Sequence, residues 1–137
     1  MAKYRRLFLE EAAEHLSEIS TALLALEKDR AASEGIDVIF RMAHSIKSMA
    51  ASLEYDSIAE LAHALEDRME GVRARGSVAD GEEMASLFRG LEGLESMVGV
   101  VRETGDPPPP QADLVASLRA AAQAVEAAES PPKKVQS

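Results

Sequence analysis

A chain of 137 residues with a formal charge of −9 is the size of one domain and long enough to bury a core unaided. Aromatic residues make up 4% and Cys and Trp are absent, which argues against strand-rich folds and excludes disulfide frameworks, thiolate catalysis and Cys-ligated zinc. The acidic balance argues against a nucleic-acid partner, which needs a basic face, and no uninterrupted apolar run, Met97-Val98 before Gly99 included, comes near the length of a membrane span.

Ala, Leu, Glu, Met and Arg dominate, all good helix formers, so the expected fold class is all-α. The first predicted helix runs from Tyr4 to about Asp29, with Leu9, Ala12, Leu16, Ile19, Leu23 and Leu26 in steps of three and four. That spacing makes one apolar stripe, with Glu10, Glu11, Glu14 and Glu18 on the wet side. The stretch Ala31–Gly35 breaks it, and a second helix follows from about Ile36 to Leu53 through Ile39, Ala43, Ile46 and Ala50. A third opens at Ser57-Ile-Ala-Glu60, read as a capping box. It continues through Leu61, Leu65, Met69 and Val72 to a stop at Gly76. A fourth starts at the box Asp80-Gly-Glu-Glu83 and runs through Met84, Leu87, Leu91, Leu94, Met97 and Val101. Gly90, Gly93 and Gly99 each weaken it by about 1 kcal/mol relative to Ala, so it is expected to be the least regular.

Pro107–Pro110 is a stiff spacer. Beyond it, residues 111–129 read as a short Ala-rich helix with Leu114, Leu118, Ala121, Ala122 and Val125 on one face, either docked or mobile. The tail SPPKKVQS has linker composition, as expected of a piece of a longer protein. The expected architecture is an antiparallel four-helix up-down bundle over residues 1–105, a Pro-rich connector and accessory helix over 106–129, and a tail over 130–137. The Met residues fall on apolar faces and read as core filler. The N-terminus MAKYRRLFLEEAAEH turns acidic too early for a signal peptide, and the expected compartment is the cytoplasm.

The chain has three histidines. His15 lies among glutamates and reads as a solvated boundary residue. His44 sits about 140° from Ile39 at about 100° per residue, outside the arc its helix buries. Lys47 stands beside it, and Ser48 and Ala51 leave the surface around it clear, so a large partner can approach the ring; an ordinary surface histidine is the competing reading. His63 and Glu66 lie three apart on the third helix and can face one neighbour, where a carboxylate could fix the tautomer of a second imidazole, or form only a surface ion pair. Glu60-Leu-Ala-His63 matches the Glu-x-x-His element of di-iron bundles, which need a second copy. Residues three before His15 and His44 are Ala12 and Arg41, so no metal ligand set is expected. No phosphate-binding glycine loop is present, so the chain should not bind ATP by itself.

The string IFRMAHSIKSMAASL resembles the signature of histidine-containing phosphotransfer domains, an apolar-x-Arg-x-Ala-His-Ser/Thr-apolar-Lys-Gly run on a bundle helix. YRRLFLEEAAEHLSEISTALLALEKD resembles the first helix of the phosphotransfer domain of CheA-type chemotaxis histidine kinases, and IAELAHALEDRMEGVRARG resembles the third. The likeness covers residues 4 to about 104 and continues more weakly into the fifth helix. It implies that His44 is the phospho-accepting nucleophile, that Glu66 accepts a hydrogen bond from its Nδ1, that Lys47 sits beside the incoming phosphoryl group and that His63 completes the polar network. The chemistry agrees: attack by a ring nitrogen needs the neutral tautomer with that nitrogen free, and phosphoryl oxygens need a nearby cation. Two departures from the pattern are Ser48, where the family has glycine, and the run Ala51-Ser52-Leu53-Glu54.

The resemblance further implies a kinase catalytic domain, holding ATP and magnesium on a separate part of the polypeptide, as phosphoryl donor, and a CheY-like response regulator as acceptor. The regulator would approach across Arg41, Ser48 and Ala51. The chain is then a monomeric carrier, not a catalyst in its own right. The competing expectations are a free-standing or hybrid-kinase phosphotransfer protein and, in a different class, a helical adaptor that never carries phosphate.

Overall fold

The computed structural model describes residues 2–119, and among them the regular structure is helical throughout. Four long helices, α1 (Ala2–Lys28), α2 (Ser33–Ser52), α3 (Asp56–Arg75) and α4 (Gly81–Thr104), are followed by a shorter one, α5, over residues 112–119. α1 packs on α2 and α4, and α3 packs on the same two helices, closing a four-helix ring. The expected stripes point inward: Ala12, Ile19, Leu23, Leu26, Ile39, Ala43, Ile46, Leu61, Leu65, Met69 and Val72 are all buried. Each large aliphatic side chain among them contributes about 1.5–3 kcal/mol by leaving water. Leu9 is half-buried, and Phe8 takes the core position in its place, its ring 5.2 Å from that of Tyr55 at the α2–α3 turn.

The helix ends depart from the sequence reading in several places. The break after α1 is shorter than Ala31–Gly35, because Ser33, Glu34 and Gly35 already belong to α2. Gly35 packs there against α1, where a Cβ would lie 3.4 Å from the Ala22 carbonyl oxygen. The Ser57–Glu60 capping box does not form. α3 starts one residue earlier, after Tyr55, with no side-chain cap, and the Ser57 hydroxyl instead donates to the carbonyl of Pro108 at 2.7 Å. Two residues past the end of α2, Glu54 stands at φ 65°, a left-handed conformation that suits glycine.

Of the second capping box only the Asp80 half forms, because the Glu83 carboxylate is taken by the Ala79 N–H and two arginines, while the glycine stop forms as read. Asp80 accepts from the Glu83 N–H at 2.9 Å, and Gly76 closes α3 at φ 88°. α4 is continuous despite its glycines, against the expectation of irregularity. One of them lets α5 come close: a Cβ at Gly93 would lie 2.6 Å from Leu114 and 2.9 Å from Leu61, whereas one at Gly90 would meet Leu118 at an ordinary 3.5 Å.

α5 docks, with Leu118 fully buried and Val115 nearly so. Ala121, Ala122 and Val125, and the tail, lie outside the described residues. The dock is completed by a buried charge cluster. Arg68, 2% exposed, donates to Glu83 Oε2 at 2.6 Å and to the Leu118 carbonyl at 2.8 Å. The other Glu83 oxygen accepts from Arg75 and from the Ala79 N–H.

Candidate phospho-acceptor site

α2 and α3 cross so that Glu66, on the inner shoulder of α3, reaches His44 and Lys47 one turn apart on α2. Glu66 Oε2 lies 2.7 Å from His44 Nδ1, and Oε1 lies 2.8 Å from Lys47 Nζ. Burial alone would push the Glu66 carboxyl up; hydrogen bonds from Lys47 and His44, and the charges of both, outweigh it and hold the group below the ordinary carboxylate range. An ionised carboxylate only accepts, so Nδ1 of His44 carries the proton and donates. In the neutral ring this leaves the lone pair on Nε2. The His44 side chain is 55% exposed while that of Glu66 is 11% exposed, so the orienting group is enclosed and the ring it orients is open.

Arg41, His44, Ser48 and Ala51 follow in steps of three, four and three, forming one stripe of α2, and all four are exposed. Lys47 turns off the stripe toward Glu66 and lines a hollow of about 780 Å³ together with Ser57, His63, Pro108 and Arg119.

His63 and Glu66 do not share a neighbour as their spacing implied. Glu66 crosses to α2, whereas His63 Nε2 faces Asp67 at 3.6 Å and its Nδ1 lies 3.3 Å from Arg119 on α5. His15 is half-buried instead of solvated, and its Nδ1 is enclosed with no hydrogen-bond partner among the described residues. The sequence reading missed Arg119 and the Arg68–Glu83 pair. The second had a signal: Arg68 continues the stripe Leu61, Leu65 toward Val72, and a charge on a buried stripe demands a buried partner. Among the described residues no group of three or more His, Asp or Glu stands placed for a metal ion, and no helix is long and apolar enough to cross a membrane.

A family model described as Hpt domain matches residues 3–128. This chain belongs to the Hpt domain family. Within that family this Hpt domain is of the CheA type. It is 35% identical to the chemotaxis protein CheA of Bacillus subtilis and 33% identical to that of Halobacterium salinarum, in each case over 106 residues, 77% of this chain. It spans 16% of the length of either relative.

Among solved structures, the histidine phosphotransfer domain of CheA superposes with a TM-score of 0.74 at 25% identity, covering 87% of this chain and 91% of that one. The phosphorylated P1 domain of CheA3 from R. sphaeroides, solved in complex with CheY6, superposes at 0.81 over 90% of this chain and 98% of that one. At 24% identity it speaks for the fold.

Proposed function

We propose that this Hpt domain is a phosphorelay carrier in chemotaxis-type signalling. His44 takes the γ-phosphoryl group of ATP from a kinase catalytic domain, then passes it to an aspartate of a CheY-like response regulator. The observation that carries the reading is the 2.7 Å contact between His44 Nδ1 and Glu66 Oε2 behind a half-exposed ring. In the first step the Nε2 lone pair forms the N–P bond as the bond from phosphorus to the β-phosphate bridging oxygen breaks and ADP leaves. Glu66 stabilises the positive charge that develops on the ring by holding the Nδ1 proton, and Lys47 offers a cation to the phosphoryl oxygens. In the second step the N–P bond breaks as the regulator's aspartate oxygen attacks. His63, lining the same hollow as Lys47, acts on this pair from the side and not through a shared bond.

Homology to CheA supports placing the kinase domain on the same full-length polypeptide. Incubation with a histidine-kinase catalytic core and γ-labelled ATP tests the carrier role. The label should be lost in acid, stable in base and absent from His44→Gln. An acid-stable label, or full labelling of that variant, refutes the assignment. The regulator docks on the stripe around His44: Ser48→Trp and Ala51→Trp should block transfer to it while circular dichroism is unchanged, and normal transfer by both variants would move the docking face elsewhere.

A further inference from the structure

Across the hollow from Lys47, α5 presents Arg119. Its Nη2 lies 3.3 Å from His63 Nδ1 and its Nε lies 3.6 Å from Asp67 Oδ2. A guanidinium carries donors only, so His63 Nδ1 is the acceptor. The neutral His63 ring therefore has its proton on Nε2, the nitrogen facing Asp67 Oδ1. The ring is caught between a donor on α5 and an acceptor on its own helix.

Three residues further along α3 is Glu66, whose two oxygens are engaged by His44 and Lys47. Residues three apart on a helix are neighbours, so Glu66 is the carboxylate, besides Asp67, to which a His63 ring without Arg119 would turn, there to compete with His44 as a donor. Arg119 is held in place by contacts of its own segment: Leu118 is buried beneath it, the Leu118 carbonyl is tied to Arg68, and the connector ahead of α5 is pinned through Pro108 to Ser57.

We propose that Arg119 is a positioning residue for the phospho-acceptor site: by fixing His63 as the Nε2–H tautomer turned toward Asp67, it reserves Glu66 for His44 and Lys47. This rests on the carrier reading above and extends the site from the α2–α3 pair to α5. It also gives the accessory helix a role in the chemistry, because whatever displaces α5 releases His63.

The test uses the full chain with ¹⁵N-labelled histidine rings. In the parent, His63 should show a bare Nδ1 and a protonated Nε2, and His44 a protonated Nδ1. Arg119→Leu and Arg119→Ala should lose the His63 preference and lower the Nδ1–H population of His44. They should also slow phosphorylation by a kinase core about three- to tenfold, the range for one lost hydrogen bond, through kcat with KM for the core unchanged. Arg119→Lys, which still donates, should recover part of both signals. The Arg119 side chain is partly exposed, so these variants should keep the parent's circular dichroism; if the Leu and Ala variants unfold, the Lys variant decides, through its ring signals. An unchanged His63 tautomer in the variants, or a changed one that leaves His44 unaffected, overturns the proposal. A parent chain that takes no phosphate from the core refutes the carrier reading, while the ring signals still decide what Arg119 does.

Discussion

Glu66 on α3 and Glu83 at the start of α4 are built from the same interaction, a carboxylate gripped by two basic side chains, and they do opposite things. Around Glu83 the partners are enclosed: the Arg68 and Glu83 side chains are 2% and 1% exposed, and both oxygens are satisfied by Arg68, Arg75 and a backbone N–H. Only Arg75 of this cluster reaches the surface, at 14% exposed, and the cluster's work is to join α3, α4 and α5. Around Glu66 the carboxylate is also sheltered, its side chain 11% exposed, but one partner is a ring open to solvent, so the ionic grip is transmitted to a nitrogen that another molecule can reach. Access, not the strength of the ion pair, separates scaffold from site.

Substitutions that remove one partner at each place test the separation. Arg68→Met leaves Glu83 buried with its charge half-compensated and strips the Leu118 carbonyl of its donor. It should cost about 3–5 kcal/mol of stability, read by urea unfolding, and slow phosphorylation of the folded fraction by no more than the roughly three- to tenfold expected when Arg119 loses its hold on His63. A larger slowing in folded Arg68→Met protein would join the two regions by a route other than Arg119.

Glu66→Gln should do the reverse. Losing one charge-assisted, tautomer-holding bond should slow acquisition of phosphate about a hundredfold, or about 2–3 kcal/mol. Transfer from the pre-phosphorylated variant to the regulator should stay near the parent rate, because the aspartate is then the nucleophile. Lys47→Ala should slow acquisition less, since its ammonium is partly solvated. Equal slowing of both half-reactions by Glu66→Gln would make Glu66 a scaffold residue like Glu83.

The glycines of α4 sharpen the scaffold side. Gly93→Ala places a methyl 2.6 Å from Leu114 and 2.9 Å from Leu61 and should destabilise by about 1–3 kcal/mol, whereas Gly99→Ala meets nothing within 4 Å and should stabilise by up to about 1 kcal/mol. Thermal unfolding of the two variants reads the difference in sign.

The smallest effect is in pH. The Glu66 carboxyl is held below its ordinary range in the fold, so its contribution to stability is complete above that range and is lost as pH falls through its lowered value. The stability gap between the parent and Glu66→Gln, measured by denaturant midpoints, should be flat near neutral pH and close on acidification. A gap that widened in acid would mean that the protonated form is the one the fold prefers.

Much of this was legible in the sequence because helical periodicity reports burial directly. The stripes through Ile39, Ile46, Leu61 and Leu65 gave the ring of helices, and the angular position of His44 against Ile39 gave its exposure. Glu66 could be placed beside His44 through the family signature. What failed was whatever depended on partners distant in the chain. Ser57 has the composition of a cap, but its hydroxyl is taken by Pro108, and no local pattern shows that competition. Gly93 reads as a weak point because the side chain that fills the space it leaves, Leu114, belongs to a helix that starts only after the proline spacer. Arg119 was invisible for the same reason: its partner His63 lies on another helix, and only the docking of α5 brings them together.

The bond from Ser57 to Pro108 spans 51 positions, that from Arg68 to Leu118 spans 50, and the pair Arg119 and His63 spans 56, whereas His44 and Glu66 are 22 apart. Chain closure costs about 0.6 kcal/mol more for each doubling of span, so the helical hairpin of α2 and α3 has the shorter search. His44 and Glu66 are thus expected to meet early in folding, on a hairpin that assembles before the last segment closes over it. A nascent chain would carry a formed His44–Glu66 pair while α5 was still seeking its seat, and mutations in α5 should speed unfolding more than they slow folding.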